Sequence, residues 1–167
     1  MSEDDVVQET IDETLGSRPL SKVDWSNSRY LSTKLEGKNA VGDFGENLIK
    51  NIYKRRGIEC EIIKKGYDVL VGDRKVEVKT SFQNKNKAFF FNQIKEVDEE
   101  TGKLKDWDHL AFVFVRPQSI EVWECKKPEK LHEHFKKNNG WSWRKSSSSG
   151  LCKKTWTRTY LGIHDDE

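Results

Sequence analysis

Nowhere does this sequence run 18 or more apolar residues together, which excludes a transmembrane helix. Its opening stretch, MSEDDVVQETIDETLG, is acidic and has neither the basic nor the apolar region of a signal peptide, so a cytoplasmic location is expected. Cysteine is scarce. Cys60, Cys125 and Cys152 are odd in number and widely spaced, the pattern of reduced thiols rather than of a disulfide framework. No Cys-x-x-Cys pair is present, and His132-x-His134 on a helix would face two directions. Together with His109 and His164 these histidines therefore read as surface residues and not as zinc ligands. A Gly-rich phosphate loop is also missing; Gly42-x-x-Gly45 reads instead as a site of close helix packing. No internal repeat occurs. With 34% hydrophobic and 35% charged residues in 167, the chain has material for one domain with a modest core.

What is present is a charge asymmetry beneath a net charge of only +2. Residues 1–20 hold six acids against one base, Arg18, and are expected to form a flexible acidic tail. Asp165, Asp166 and Glu167 are acidic as well. The intervening residues 21–164 carry 29 Lys and Arg against 19 Asp and Glu. A basic body of this kind suits a polyanion partner.

The hydrophobic pattern predicts the elements. In residues 21–40, Trp25, Tyr30 and Leu31 are expected to anchor a polar segment onto the body. Val41, Phe44, Leu48, Ile49 and Ile52 then recur at helical spacing, with Gly57 as the stop. From Ile58 to Ile63 the period changes to two. Asp68–Val71 and Lys75–Lys79 flank Gly72-Asp73-Arg74, a hairpin signal. Ala88–Phe91 is a further strand, ending in a turn or short helix at Asn92–Ile94. A charged excursion over 95–108 leads to strands at His109–Val115 and Ser119–Trp123. Pro128 is expected to open a helix reaching about Lys137. The stretch Gly140–Gly150 is low in complexity and expected to be mobile. The order predicts an α/β sandwich, a central mixed β-sheet flanked by helices. It divides into a tail (1–20), a core (21–140) and a basic, aromatic C-terminal segment (141–167).

The chemistry concentrates in Gly66-Tyr67-Asp68 and Glu77-Val78-Lys79. Glu77 and Lys79 are two apart on a strand, so they share a face that Val76 and Val78 avoid. A turn on Gly72-Asp73 sets Asp68 opposite Glu77. A turn on Asp73-Arg74 sets it opposite Lys79 and diagonal to Glu77. Either brings the three groups to one face, whereas a three-residue turn would not. Two facing carboxylates repel at Cβ separations of roughly 5 Å. A divalent cation removes that cost, and oxygen donors favour Mg²⁺ over zinc. A lysine beside it would orient water and offset phosphate charge, as phosphodiester hydrolysis requires.

These residues resemble the PD-(D/E)XK nuclease superfamily, the restriction endonuclease-like fold. The likeness spans about residues 41–125. It rests on Gly42-Asp-Phe-Gly-Glu46 on the helix, Gly66-Tyr-Asp68, Val76-Glu-Val-Lys-Thr-Ser81 and Phe89-Phe-Phe-Asn-Gln-Ile94. Tyr67 stands where the superfamily often has proline. The resemblance implies that Asp68 and Glu77 bind Mg²⁺ (or Mn²⁺), that Lys79 assists the attacking water, that Glu46 adds a further acidic ligand, and that Gln93 sits near the same site. Asp43 competes with Glu46 but points further from the core and suits helix N-terminal charge placement.

Residues 126–160 carry ten basic side chains and only Glu129 and Glu133 as acids, with Trp141, Trp143, Trp156 and Tyr160 interleaved. Arg144, Lys145, Lys153, Lys154 and Arg158 are expected to meet DNA phosphates or guanine edges. The tryptophans are expected in the core or at a dimer interface. The leading expectation is a type II restriction-like endonuclease acting on double-stranded DNA as a two-fold homodimer. A Holliday-junction resolvase, homing or repair nuclease would use the same residues. A non-catalytic DNA-binding protein, or a protein-interaction domain using the acidic tail, are the rivals from other classes.

Overall fold

The computed structural model describes residues 23–137 and 140–163. The acidic tail and His164 lie outside these residues. Among the described residues two α-helices, α1 (Leu31–Leu35) and α2 (Lys38–Arg55), precede nine strands. These are β1 (Cys60–Ile62), β2 (Val69–Val71), β3 (Arg74–Phe82), β4 (Phe89–Ile94), β5 (His109–Arg116), β6 (Ser119–Lys126), β7 (Lys136–Lys137), β8 (Trp141–Lys145) and β9 (Thr157–Ile163). Six strands form the main sheet in the order β1-β2-β3-β5-β6-β9, and three form a second sheet in the order β4-β8-β7. Only β3 and β5 of the main sheet run parallel; its other pairings are antiparallel. The fold is thus α/β with a mixed central sheet.

Side-chain alternation assigns the two faces. On one, Val76, Val78, Ala111, Val113, Val115 and Val122 meet Ile49 and Ile52 of α2. Trp25 and Tyr30 join this core, and Trp25 stacks on Phe82 at 5.5 Å between ring centroids. The anchoring expected of the segment before α2 is therefore observed. On the other face, Leu110, Phe112 and Phe114 meet Phe89, Phe91, Trp143 and Trp156. Phe91 stacks on Phe112 at 4.0 Å, and Trp156 lies 4.7 Å from Phe112. Each buried aromatic of this layer contributes about 1.5–3 kcal/mol.

This second face departs from the expected helical flanking. Both helices pack on the valine face, and a three-stranded sheet covers the aromatic one. No helix runs from Pro128 to Lys137; the chain makes one 3₁₀ turn at Leu131–Glu133 and then the short strand β7. Leu131 and Phe135 are both buried without a helix between them. Ladder pairing of Lys136 with Ser142 and of Lys137 with Trp141 wins over that local preference. Likewise Trp141–Lys145 is not mobile but a strand, because Trp-Ser-Trp alternation drives Trp143 into the aromatic layer. Residues 141–163 consequently supply β8 and β9 to the two sheets. Asn92–Ile94 is neither a turn nor a helix; it continues β4 past an irregular register at Phe91–Ile94.

Candidate active site

The hairpin between β2 and β3 decides the site. Val71 pairs with Arg74, so the loop is Gly72-Asp73, and Gly72 takes φ of 60° at the first central position that glycine best supplies. The paired register ends at Val69 with Val76, one residue short of Asp68 and Glu77. Beyond Val69 the two strands separate. The Asp68 backbone N–H still donates to Val76 O at 3.1 Å, but the N–H of Val78 donates to Asp68 Oδ2 at 2.8 Å. The carboxylate stands in for a missing ladder acceptor.

Glu77 is 2% exposed and shares its face with Lys79, as the alternation requires. Lys79 Nζ lies 3.5 Å from Glu77 Oε1. A second ammonium reaches the same carboxylate from elsewhere: Lys105 Nζ lies 3.2 Å from Oε1 and 3.3 Å from Oε2. Burial raises the Glu77 carboxyl above its ordinary value, and the charge of Asp68 adds to this, while the two lysines oppose it. Asp68 is raised by burial too. The Val78 N–H pulls it down, the charge of Glu46 raises it, and Lys79 and Lys105 lower it.

Glu46 arrives from α2, and Gly45 beside it explains how. A Cβ at Gly45 would lie 1.8 Å from Thr80 Oγ1 and 3.1 Å from Thr80 Cβ, so only glycine lets the helix sit this low over β3. Gly42, by contrast, faces open space and has no such role. Glu46 Oε2 is buried without a hydrogen-bond partner, its nearest cation being Lys64 Nζ at 3.6 Å. Burial raises its carboxyl, and the Lys64 ammonium partly offsets this. Asp43 binds the same lysine at 2.7 Å on the exposed side of the helix.

Asp68, Glu77 and Lys79 are thus brought together, with Glu46 electrostatically coupled to Asp68. Gln93 is not joined to them. It is exposed in β4, with φ of 54°, its Cα against Gly140, and no hydrogen bond or ion pair connects it to the acids. Two residues that sequence reasoning missed are Lys105 and Lys64. Lys105 sits in the charged excursion, whose return path no local pattern announces. Lys64 has φ of 59°, a conformation that nothing in Lys64-Lys65 advertises.

Among the described residues, no three Asp, Glu, His or Cys side chains converge closely enough to form a ready metal cage. The donor chemistry nonetheless fits a hard divalent cation. Asp68 and Glu77 face each other, their burial penalises charge, and Glu46 contributes an orphaned buried oxygen.

The expected DNA contacts divide. All five are exposed, and Arg144 lies across the ladder from Phe90, itself 40% exposed. Arg158 instead approaches Glu121, 3.9 Å away, and Lys153 lies over the Trp123 ring at 4.9 Å. These two are engaged with the protein. Trp143 and Trp156 are core residues, Trp141 packs partly buried against the same layer, and Tyr160 is half-buried against the opposite core. None of the described helices is long and apolar enough to cross a membrane.

Compared with known proteins, the sequence matches no protein-family model and no curated protein.

Proposed function

We propose that this chain is a divalent-metal-dependent endonuclease that hydrolyses DNA phosphodiester bonds, built on the PD-(D/E)XK plan. The observation that supports the reading is the cluster where the β2–β3 ladder ends: Asp68 holding the Val78 N–H, and Glu77 beside it with Lys79 Nζ 3.5 Å from its carboxylate. Asp68 and Glu77 would hold Mg²⁺ or Mn²⁺, and Glu46 would add a third oxygen donor. The bound cation would polarise a phosphoryl oxygen and supply a water nucleophile at neutral pH. Lys79 orients the attacking water and offsets the charge that develops on the phosphate. One P–O ester bond breaks as a P–O bond to water forms, and the departing alkoxide takes up a proton. Arg144, Lys145 and Lys154 bind the flanking phosphates.

Within this class a type II restriction-like role as a homodimer is the leading reading, with resolvase, homing and repair roles open to the same residues. The second reading, a DNA-binding protein without turnover, is favoured by the ammonium already seated on Glu77. The test incubates the protein with supercoiled plasmid and with a four-way junction, in Mg²⁺, Mn²⁺ and EDTA, beside Glu77→Ala and Lys79→Ala. Metal-dependent cleavage lost in both variants is expected. Binding without nicking in any metal would select the non-catalytic reading, and cleavage of the junction alone would select a resolvase.

A further inference from the structure

Lys105 sits close to the base of a hairpin that spans residues 95–107, paired through its backbone with Glu96. The base of this hairpin is fixed: Trp107, 2% exposed, donates its Nε1 proton to Lys95 O at 2.9 Å. Lys75 Nζ binds Asp106 at 2.7 Å. Beyond the base, the hairpin's own bonds hold it together. Lys105 N–H donates to Glu96 O at 2.7 Å, Val97 bridges Leu104, and Asp98 Oδ1 accepts the N–H groups of Glu100 and Thr101. The tip finds little apolar packing, since Leu104 is 76% and Val97 41% exposed. A cleft of about 250 Å³ opens between Val97 and Glu99 of the hairpin and Lys137 and Trp141 of the second sheet. The hairpin therefore has a firm base, room beside its outer part, and close to that base an ammonium set on the buried carboxylate of Glu77.

A divalent ion and this ammonium want the same oxygens. Both Glu77 oxygens lie within hydrogen-bond distance of Lys105 Nζ. We infer that Lys105 is a tethered cation that competes with the divalent ion for Glu77, and that the 95–107 hairpin lifts when the ion enters. The inference rests on the metal-dependent reading above and says more than it does. The hairpin carries five acids (Glu96, Asp98, Glu99, Glu100 and Asp106) against three lysines (Lys95, Lys103 and Lys105), so an approaching phosphate backbone also repels it from the face.

The test measures Mn²⁺ binding to the full chain by titration calorimetry, without DNA. Removing a charge-assisted hydrogen bond from the competing side chain is expected to lower the Mn²⁺ dissociation constant about tenfold in Lys105→Met. Lys105→Gln serves as a second neutral variant, and Lys105→Arg, which keeps the charge, stays near wild type. Hydrogen exchange at residues 97–104 is expected to quicken in wild type when Mn²⁺ is added. Equal or weaker Mn²⁺ binding by both neutral variants, with wild type still binding, overturns the inference and leaves the metal-dependent reading standing. So does a tenfold gain that persists in Glu77→Gln, because the ion then sits elsewhere. No Mn²⁺ binding by any variant, with no cleavage in any metal, removes the reading and the inference together.

Discussion

Gly45 of α2 rides directly over Thr80 of β3, so closely that a methyl group on the glycine would overlap the threonine hydroxyl at 1.8 Å. The helix is lowered onto the sheet at the one point from which its next residue, Glu46, can reach the place where β2 and β3 part. Fold and candidate site meet in that contact.

Gly45→Ala is accordingly expected to destabilise the protein by about 1–3 kcal/mol, since threonine is stiff at χ1 and cannot swing aside freely. Thr80→Ala in the same chain removes the nearest obstructing atom and recovers most of the loss. Urea unfolding of the two single variants and the double variant measures the coupling. Additive losses would mean that the helix is positioned by other contacts.

Asp68→Asn is expected to stabilise the metal-free protein. The folded state raises the pKa of Asp68 through burial, so the charged form is what folding disfavours. This raised acid contributes stability fully below its unfolded value, near 4, and loses it as pH rises through the folded pKa. The gap between variant and wild type therefore opens as pH climbs from about 4 and closes below it. Thermal unfolding in EDTA follows this, at roughly 2–4 °C in Tm per kcal/mol for a chain of this size. The amide oxygen can still accept the Val78 N–H, so the comparison isolates charge.

Mg²⁺ or Mn²⁺ should raise the Tm of wild type, by an amount equivalent to about 2.7 kcal/mol when the ion stands at a hundred times its dissociation constant. Glu77→Gln should abolish the rise, and chelation should reverse it. A rise that survives Glu77→Gln would locate the ion away from this carboxylate.

DNA affinity should fall for Arg144→Ala and Lys145→Ala, and the salt dependence of binding should shallow by roughly 0.9 per phosphate contact removed. Arg158→Ala and Lys153→Ala should change affinity little, because Arg158 lies near Glu121 and Lys153 covers Trp123. Fluorescence anisotropy across a salt series distinguishes the two sets. The reverse ranking would move the nucleic-acid face to the β9 side.

The elements that local pattern encodes were legible before any coordinates. The helix through Ile49 and Ile52 and the strands β5 and β6 follow from periodicity within a few residues, whereas turn chemistry left the β2–β3 loop open between Gly72-Asp73 and Asp73-Arg74, of which the structure takes the first. Either two-residue turn brings Asp68 to the face of Glu77 and Lys79, because strand parity allows few alternatives. The second sheet was hidden. β8 is five residues beside a serine run, β7 is two lysines, and both exist only because β4 and the aromatic layer receive them. Lys105 was illegible for the same reason. Its place depends on where the charged excursion closes, which the Val97–Leu104 bridge and the bond from Lys105 N–H to Glu96 O set. Gln93 failed in the opposite sense, since a family pattern suggested a neighbourhood that the irregular register of β4 does not provide.

The pairing of β9 with β6 has a consequence for how the protein is made. As the chain emerges during synthesis, β6 is complete some thirty residues before its outer neighbour exists. Throughout that interval it presents bare N–H and C=O groups, flanked by Val122 and Trp123 that water should not see. A ribosome pause between Lys126 and Thr157 would prolong the time in which a nascent chain can zip onto another, so the yield of native protein should depend on translation speed through that stretch.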